Sequence, residues 1–155
     1  QKSTRIHQGS FGIQDSNEAF DRWGSVLTTG DFNGDSKIDL VIGAPAEGSG
    51  KFLRTGAITI IPGTAGLLTS REAKTIHQDQ IPSNLDISHA DHWGDALGSV
   101  DVNGDGKTDL LVASSAKSIG TQFDSGTITL LWGTKNGIAP ENSNYLDQNE
   151  YKMVT

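Results

Sequence analysis

The chain has 155 residues, no cysteine and a net charge of −7. That excludes a disulfide framework and a thiolate metal site, and an acidic chain with no basic run is a poor nucleic-acid binder. No stretch approaches the ~18 consecutive apolar residues of a membrane-spanning helix.

Glycine is abundant, at 19 residues, and apolar residues make up 34%. That composition favours short strands joined by turns, and helical periodicity is absent. The first predicted strand, residues 25–29, follows Trp23-Gly24 and leads into the loop Asp31-Phe32-Asn33-Gly34-Asp35-Ser36-Lys37-Ile38-Asp39. The second, residues 40–43, is a continuous apolar run of the kind buried on both faces. Residues 46–55 form a polar segment, expected to be mobile and to face partners. The third strand, residues 56–61, is rich in Ile and Thr. A weaker fourth lies near residues 75–78, before a proline-containing loop at 80–90.

The series then starts again. Strands are predicted at residues 95–100, 110–113, 126–132 and near 145–148, with a polar segment at 117–125. The second acidic loop is Asp101-Val102-Asn103-Gly104-Asp105-Gly106-Lys107-Thr108-Asp109. The offset between the copies is 70 residues, as from Asp31 to Asp101, and matched pairs extend beyond the loops. Trp23 falls on Trp93, Gly24 on Gly94, Leu27 on Leu97, Ile58 on Ile128 and Gly63 on Gly133. Leu146-Asp147-Gln148 opens a third copy, a further 70 residues on from Ile76-His77-Gln78. Four strands in a long repeat are the blade of a β-propeller.

Oxygen-bearing side chains stand at positions one, three, five and nine of each loop. That donor set suits a hard cation such as calcium, which takes six to eight oxygens at about 2.3–2.6 Å. The loops are not EF-hands, because position twelve is Ile42 or Val112 where an EF-hand places a bidentate Glu. Gly34 and Gly104 permit a left-handed turn. Gly106 stands where the first loop has Ser36. If that position needs positive φ, Ser36 costs about 1 kcal/mol, and the first site is expected to be the weaker or more strained.

Other motifs carry less. Residues 43–51 lack the ending of a phosphate loop, and no Gly-x-Ser-x-Gly elbow occurs. Trp23 and Trp93 are expected to pack between blades rather than stack on a sugar. His89 and His92 flank Asp91, but the first repeat has Ala19 and Arg22 there, which argues against zinc.

Trp-Gly-x-x-Leu, then Gly30 through Pro45 (GDFNGDSKIDLVIGAP), then Gly-x-Ile-x-Ile-x-x-Gly resembles the FG-GAP repeat. This is the blade of integrin α-subunit propellers and of many bacterial exported proteins. The second copy departs from the pattern after its second strand, with Ala113-Ser114-Ser115 in place of Gly43-Ala44-Pro45. The resemblance implies an all-β fold: two four-stranded antiparallel blades of a partial propeller. Residues 1–20 would be the outer strand and loop of a preceding blade, 21–90 the first repeat and 91–155 the second.

The resemblance also implies about two Ca²⁺ ions per chain. The first would be held by the side chains of Asp31, Asn33, Asp35 and Asp39 with the Lys37 carbonyl. The second would be held by Asp101, Asn103, Asp105 and Asp109 with the Lys107 carbonyl. The implied role is a non-catalytic, extracellular or cell-surface module that binds a protein or a glycan. Two further readings stay open: the propeller portion of a secreted hydrolase, such as a phospholipase D that cleaves glycolipid anchors, and a calcium-dependent lectin. Two blades do not close a ring, so remaining blades or other chains are expected to complete it. The chain begins mid-pattern at Gln1, which fits an excised or separately built piece.

Overall fold

The computed structural model describes residues 5–10, 12–13, 15–65, 70–82 and 86–147. It is all-β, with eight strands in two four-stranded sheets. The first sheet holds β1 (Val26–Gly30), β2 (Asp39–Ala44), β3 (Ala57–Ile61) and β4 (Lys74–His77). The second holds β5 (Ala96–Val100), β6 (Asp109–Ser114), β7 (Thr127–Thr134) and β8 (Gly137–Asp147). Each sheet is an antiparallel meander in chain order. Registers match between the copies: Leu27 faces Ile42 and Leu97 faces Val112. Single 3₁₀ turns at Ser70–Glu72 and Gln78–Gln80 are the helical residues among those described.

The fourth strand of the second repeat differs from the sequence reading. It begins at Gly137 rather than near Tyr145, and Gln148 lies outside the described residues. The cause is a tight turn after β7. Gly137 adopts φ 86°, Thr134 Oγ1 donates to the Gly137 carbonyl at 2.7 Å, and Asn136 N–H returns to the same hydroxyl at 3.2 Å. An Asn-Gly pair is a hairpin signal. Pro140 disguises the strand, yet proline is tolerated on an edge, and β8 is the edge of its sheet.

The main core lies between the sheets. Phe32, Val41, Ile58, Ile60 and Ile76 of the first repeat meet Trp93, Leu110, Val112 and Leu131 of the second. Alternation along the strands explains the sidedness: Ile58 and Ile60 point to the second sheet, while Ile42 and Ile61 join a smaller cluster on the opposite face with Ile13 and Ala73. Each Trp indole N–H donates to a threonine of its own β-sheet, Trp23 to Thr59 and Trp93 to Thr129, both at 3.0 Å. The two tryptophans therefore hold the same place in their repeats. Trp93 is fully buried under the first sheet, and Trp23 is only half-buried.

Backbone bonds seal this joint. Ala90, His92 and Trp93 N–H donate to the carbonyls of Leu53, Arg54 and Thr55 at 2.9, 3.1 and 2.8 Å. His89 Nδ1 accepts from Leu53 N–H at 3.0 Å, which gives that histidine a structural task. The segment between β2 and β3, expected to be loose, is thus the clasp of the first blade on the second. Gly56 shows why the approach needs glycine: its φ is 101°, and a Cβ there would run into the Trp93 backbone.

Candidate functional site

The two acidic loops join β1 to β2 and β5 to β6, and both fold on one frame of side-chain to backbone bonds. In the first, Asp31 Oδ1 and Asn33 Oδ1 accept from the same Asp35 N–H at 3.0 and 2.9 Å. Asp31 Oδ2 accepts from Ser36 N–H at 2.8 Å, and Asp35 Oδ1 from Lys37 N–H at 2.9 Å. The second loop repeats the set. Asp101 Oδ1 and Asn103 Oδ1 accept from Asp105 N–H at 3.2 and 2.9 Å, Asp101 Oδ2 from Gly106 N–H at 2.9 Å, and Asp105 Oδ1 from Lys107 N–H at 2.9 Å. Short polar side chains that bond the backbone two residues on force such tight curvature. The structure thereby gathers positions one, three and five around one turn in each repeat.

Position nine is placed differently. Asp39 is buried, with Oδ2 accepting from Phe32 N–H at 3.1 Å and Oδ1 from Gly63 N–H at 2.8 Å. Asp109 repeats this with Val102 N–H and Gly133 N–H, both at 2.9 Å. Each carboxylate staples its loop to the end of the third strand. Burial pushes the Asp39 carboxyl up, against the opposing pull of those two N–H groups. A carboxylate has about four acceptor positions, so two N–H bonds leave room for a ligand on each oxygen.

The lysines at position seven turn back on the loops. Lys37 Nζ lies 2.8 Å from Asp35 Oδ2, and Lys107 Nζ lies 3.2 Å from Asp105 Oδ2. The hydrogen bond and charge of Lys37 hold the Asp35 carboxyl below its usual range. Exposed pairs of this kind are weak and screened by salt. Oxygen-only donors on a shared turn are the chemistry that a calcium-size ion accepts, so the residues present fit the group.

Backbone geometry separates the two loops. Gly34 and Gly104 both adopt φ 73°, as the glycines there anticipate. Ser36 adopts φ 64° where Gly106 adopts φ 82°. The position does need positive φ, and the first loop holds it with a side chain that disfavours it.

Sequence reasoning missed another acidic group. Among the described residues, Asp15, Glu18 and Glu47 form the trio of carboxylates whose oxygens all lie within 4.8 Å of one another. Glu47 is buried at the start of the β2–β3 segment. Burial, with Asp15, Asp21 and Glu18 crowded around it, pushes its carboxyl up to about 7. The signal lay in the repeat itself, because Glu47 falls on Lys117.

Residues 23–61 and 93–131 each match the family model of the FG-GAP repeat. The two matches take in just over half of the chain, and the chain belongs to that family: it is a propeller-type module of repeated blades. Phosphatidylinositol-glycan-specific phospholipase D of Bos taurus is 34% identical over 110 residues, 70% of this chain and 12% of that protein. Integrin alpha-X of Mus musculus is 32% identical over 117 residues, 74% of this chain and 9% of the integrin. Integrin alpha pat-2 of Caenorhabditis briggsae is 32% identical over 111 residues, 68% of this chain and 8% of that protein. The chain therefore spans about a tenth of the length of these relatives.

Proposed function

We propose that this chain is a calcium-stabilised, non-catalytic propeller module that acts as a binding scaffold outside the cell. The observation that carries the reading is the duplicated frame of bonds that turns Asp31, Asn33 and Asp35, and again Asp101, Asn103 and Asp105, around one curve. Asp39 and Asp109 would complete the sets from below, with the Lys37 and Lys107 carbonyls. Bound calcium would supply positive charge to each cluster and tie the first strand of each repeat to the second. An ion bound only by the folded state stabilises it by mass action. Affinity in the extracellular range, about 10⁻⁴–10⁻³ M, would fill such sites outside a cell and leave them mostly empty in cytosol.

The open face of the second sheet supports a further part of the proposal. Ile58 and Ile76 are 0% exposed beneath the second sheet, whereas their counterparts Ile128 and Leu146 are 42% and 51% exposed. Asp124, at φ 49°, keeps the backbone form that Arg54, at φ 58°, uses in the joint between sheets. The natural cover for this face is another blade of the same repeat, from a longer chain or a separate one. Similarity to phosphatidylinositol-glycan-specific phospholipase D supports a second reading, in which the module accompanies a catalytic domain of a secreted hydrolase.

Calorimetric titration with calcium, followed by thermal unfolding in calcium and in chelator, tests the calcium reading. Heat of binding at both loops and a midpoint that rises with calcium are expected. No heat and an unchanged midpoint would reduce the loops to ordinary turns.

A further inference from the structure

The strand ends opposite the acidic loops frame a cavity of about 90 Å³, lined by Phe20, Arg22, Ala46, Arg54 and His92. Phe20 and Arg22 come from the approach to β1, Ala46 and Arg54 from the two ends of the β2–β3 segment, and His92 from the approach to β5. The clasp between the sheets builds it. His92 N–H donates to the Arg54 carbonyl at 3.1 Å, and Ala46 N–H to the Asp21 carbonyl at 3.2 Å. Arg22 and Arg54 remain exposed and His92 half-buried, so the joint between the sheets forms without closing the cavity.

Four of the five lining residues adopt the left-handed backbone: Phe20 at φ 79°, Arg22 at 59°, Arg54 at 58° and His92 at 54°. The fold sets that form, because Ala90 and Asp124, which fall 70 residues on from Phe20 and Arg54, share it at 65° and 49°. Glycine adopts it without a Cβ penalty, as Gly24 and Gly94 do in the same turns. The first repeat instead places arginine at two such positions, and the second breaks up the cluster with Asp124 in place of Arg54. The cations also stand without counter-charge. Among the described residues, Lys37 pairs with Asp35, Lys107 with Asp105, and Lys117 Nζ lies 2.7 Å from Asp91 Oδ2 with both side chains almost wholly enclosed. Arg22, Arg54 and His92 make no such pair among those residues, and no carboxylate lines the cavity, in a chain whose net charge is −7.

We propose that this cavity is the docking point for a carboxylate side chain of a protein partner, held between Arg22 and Arg54 with His92 as a third donor. The inference deepens the scaffold reading and rests on it, but not on calcium, because the acidic loops lie at the other end of the strands. A guanidinium is always charged and offers a planar fork of donors that matches a carboxylate. Three converging donors with no carboxylate of their own leave a place for one from outside. The cavity has room for such a group, since the share of one water in the liquid is about 30 Å³. The flanking surface favours a protein carrier over a free anion: Phe20 is 82% exposed at the rim, and Leu53, beside Arg54, is 67% exposed. Aromatic area next to arginine is enriched where proteins meet.

Amide NMR of the full chain at fixed ionic strength, titrated with a peptide of alternating Glu and Gly, tests the proposal. The same peptide with Gln in place of Glu, and inorganic phosphate, are the other arms. Saturating shifts at the Arg22, Ala46 and His92 N–H groups are expected with the Glu peptide, at a midpoint at least tenfold below that of the Gln peptide or phosphate. Arg54→Asp should raise the midpoint at least tenfold, and the fold accepts that residue because Asp124 holds the equivalent φ. Lys135→Asp changes the net charge equally at the acidic-loop end and should leave the midpoint within about twofold. The Ser36 and Gly106 N–H groups, bonded to Asp31 and Asp101, report the loops and should not respond to the peptide, so the calcium reading and this one can fail separately. Phosphate binding as tight as the Glu peptide would make the cavity a free-anion site and overturn the proposal. So would unmoved signals in the parent, equal responses to the two peptides, or an unchanged midpoint in Arg54→Asp.

Discussion

Under the second sheet, Ile58 and Ile76 of the first repeat are sealed from water; at the same positions of the second repeat, Ile128 and Leu146 face it. Trp93 is enclosed and Trp23 only half so, although each indole makes the same bond to threonine. The differences lie outside the repeat, in whether a neighbour covers each face: Ile58 and Ile76 lie on the face turned to the second sheet, and Trp23 lies on the opposite face with Ile42 and Ile61. A blade folds its own four strands and completes its core only against the next blade. A second contrast is internal: one repeat carries its cation as Lys117, and the other concentrates acid around Glu47.

The first contrast breaks most directly at the tryptophans. Trp93→Ala should destabilise the chain by about 3–5 kcal/mol, as large-to-small changes at buried aromatic residues do. Trp23→Ala should cost clearly less, measured by denaturant unfolding. Equal costs would mean that the covered face is not the energetic centre of the chain. Lys117→Met tests the second contrast. It strands Asp91 as a buried charge, with an expected loss of about 3 kcal/mol, at the low end for breaking a buried pair. An exposed pair such as Lys37 with Asp35 should change stability little when its lysine is removed.

Smaller effects sharpen the comparison between the loops. Ser36→Gly should raise stability by about 1 kcal/mol and tighten calcium binding at the first loop, because glycine adopts φ near 64° without the left-handed penalty. The second loop already has Gly106, so affinity there should not change. Equal affinity in parent and variant would sink the strain argument. The smallest effect is one of pH. Burial and crowding raise the folded Glu47 carboxyl from 4.5 to about 7. The folded state then holds the proton more tightly than the unfolded chain, so this contribution is fully present below pH 4.5 and is lost as pH rises through about 7. In chelator, thermal stability should decline across that window, and Glu47→Gln should flatten the decline.

Strand order and the acidic loops were legible in the sequence because both are local. Apolar runs such as Leu40 to Ile42 mark strands, and aspartates spaced by two mark a tight polar turn. The early start of β8 was not legible, because Pro140 and the neighbouring asparagines mask a strand whose edge position tolerates them. The clasp at Leu53, Arg54 and Thr55 has no local signature, since its bonds run to residues of the other repeat. Position nine was foreseen as a ligand, but its additional staple to Gly63 and Gly133 depends on a strand end 24 residues away. The acidic trio escaped because Asp15 and Glu47 are distant in the chain, and only folding brings them together.

Each acidic loop is expected to hold one calcium ion. Native mass spectrometry in millimolar calcium, comparing the parent with Asp31→Asn/Asp101→Asn, tests it most directly. Asparagine removes the charge and keeps one of the two oxygens that accept the loop's own N–H groups. Two fewer calcium ions on the folded variant than on the parent is the predicted result; the same number on both would contradict it.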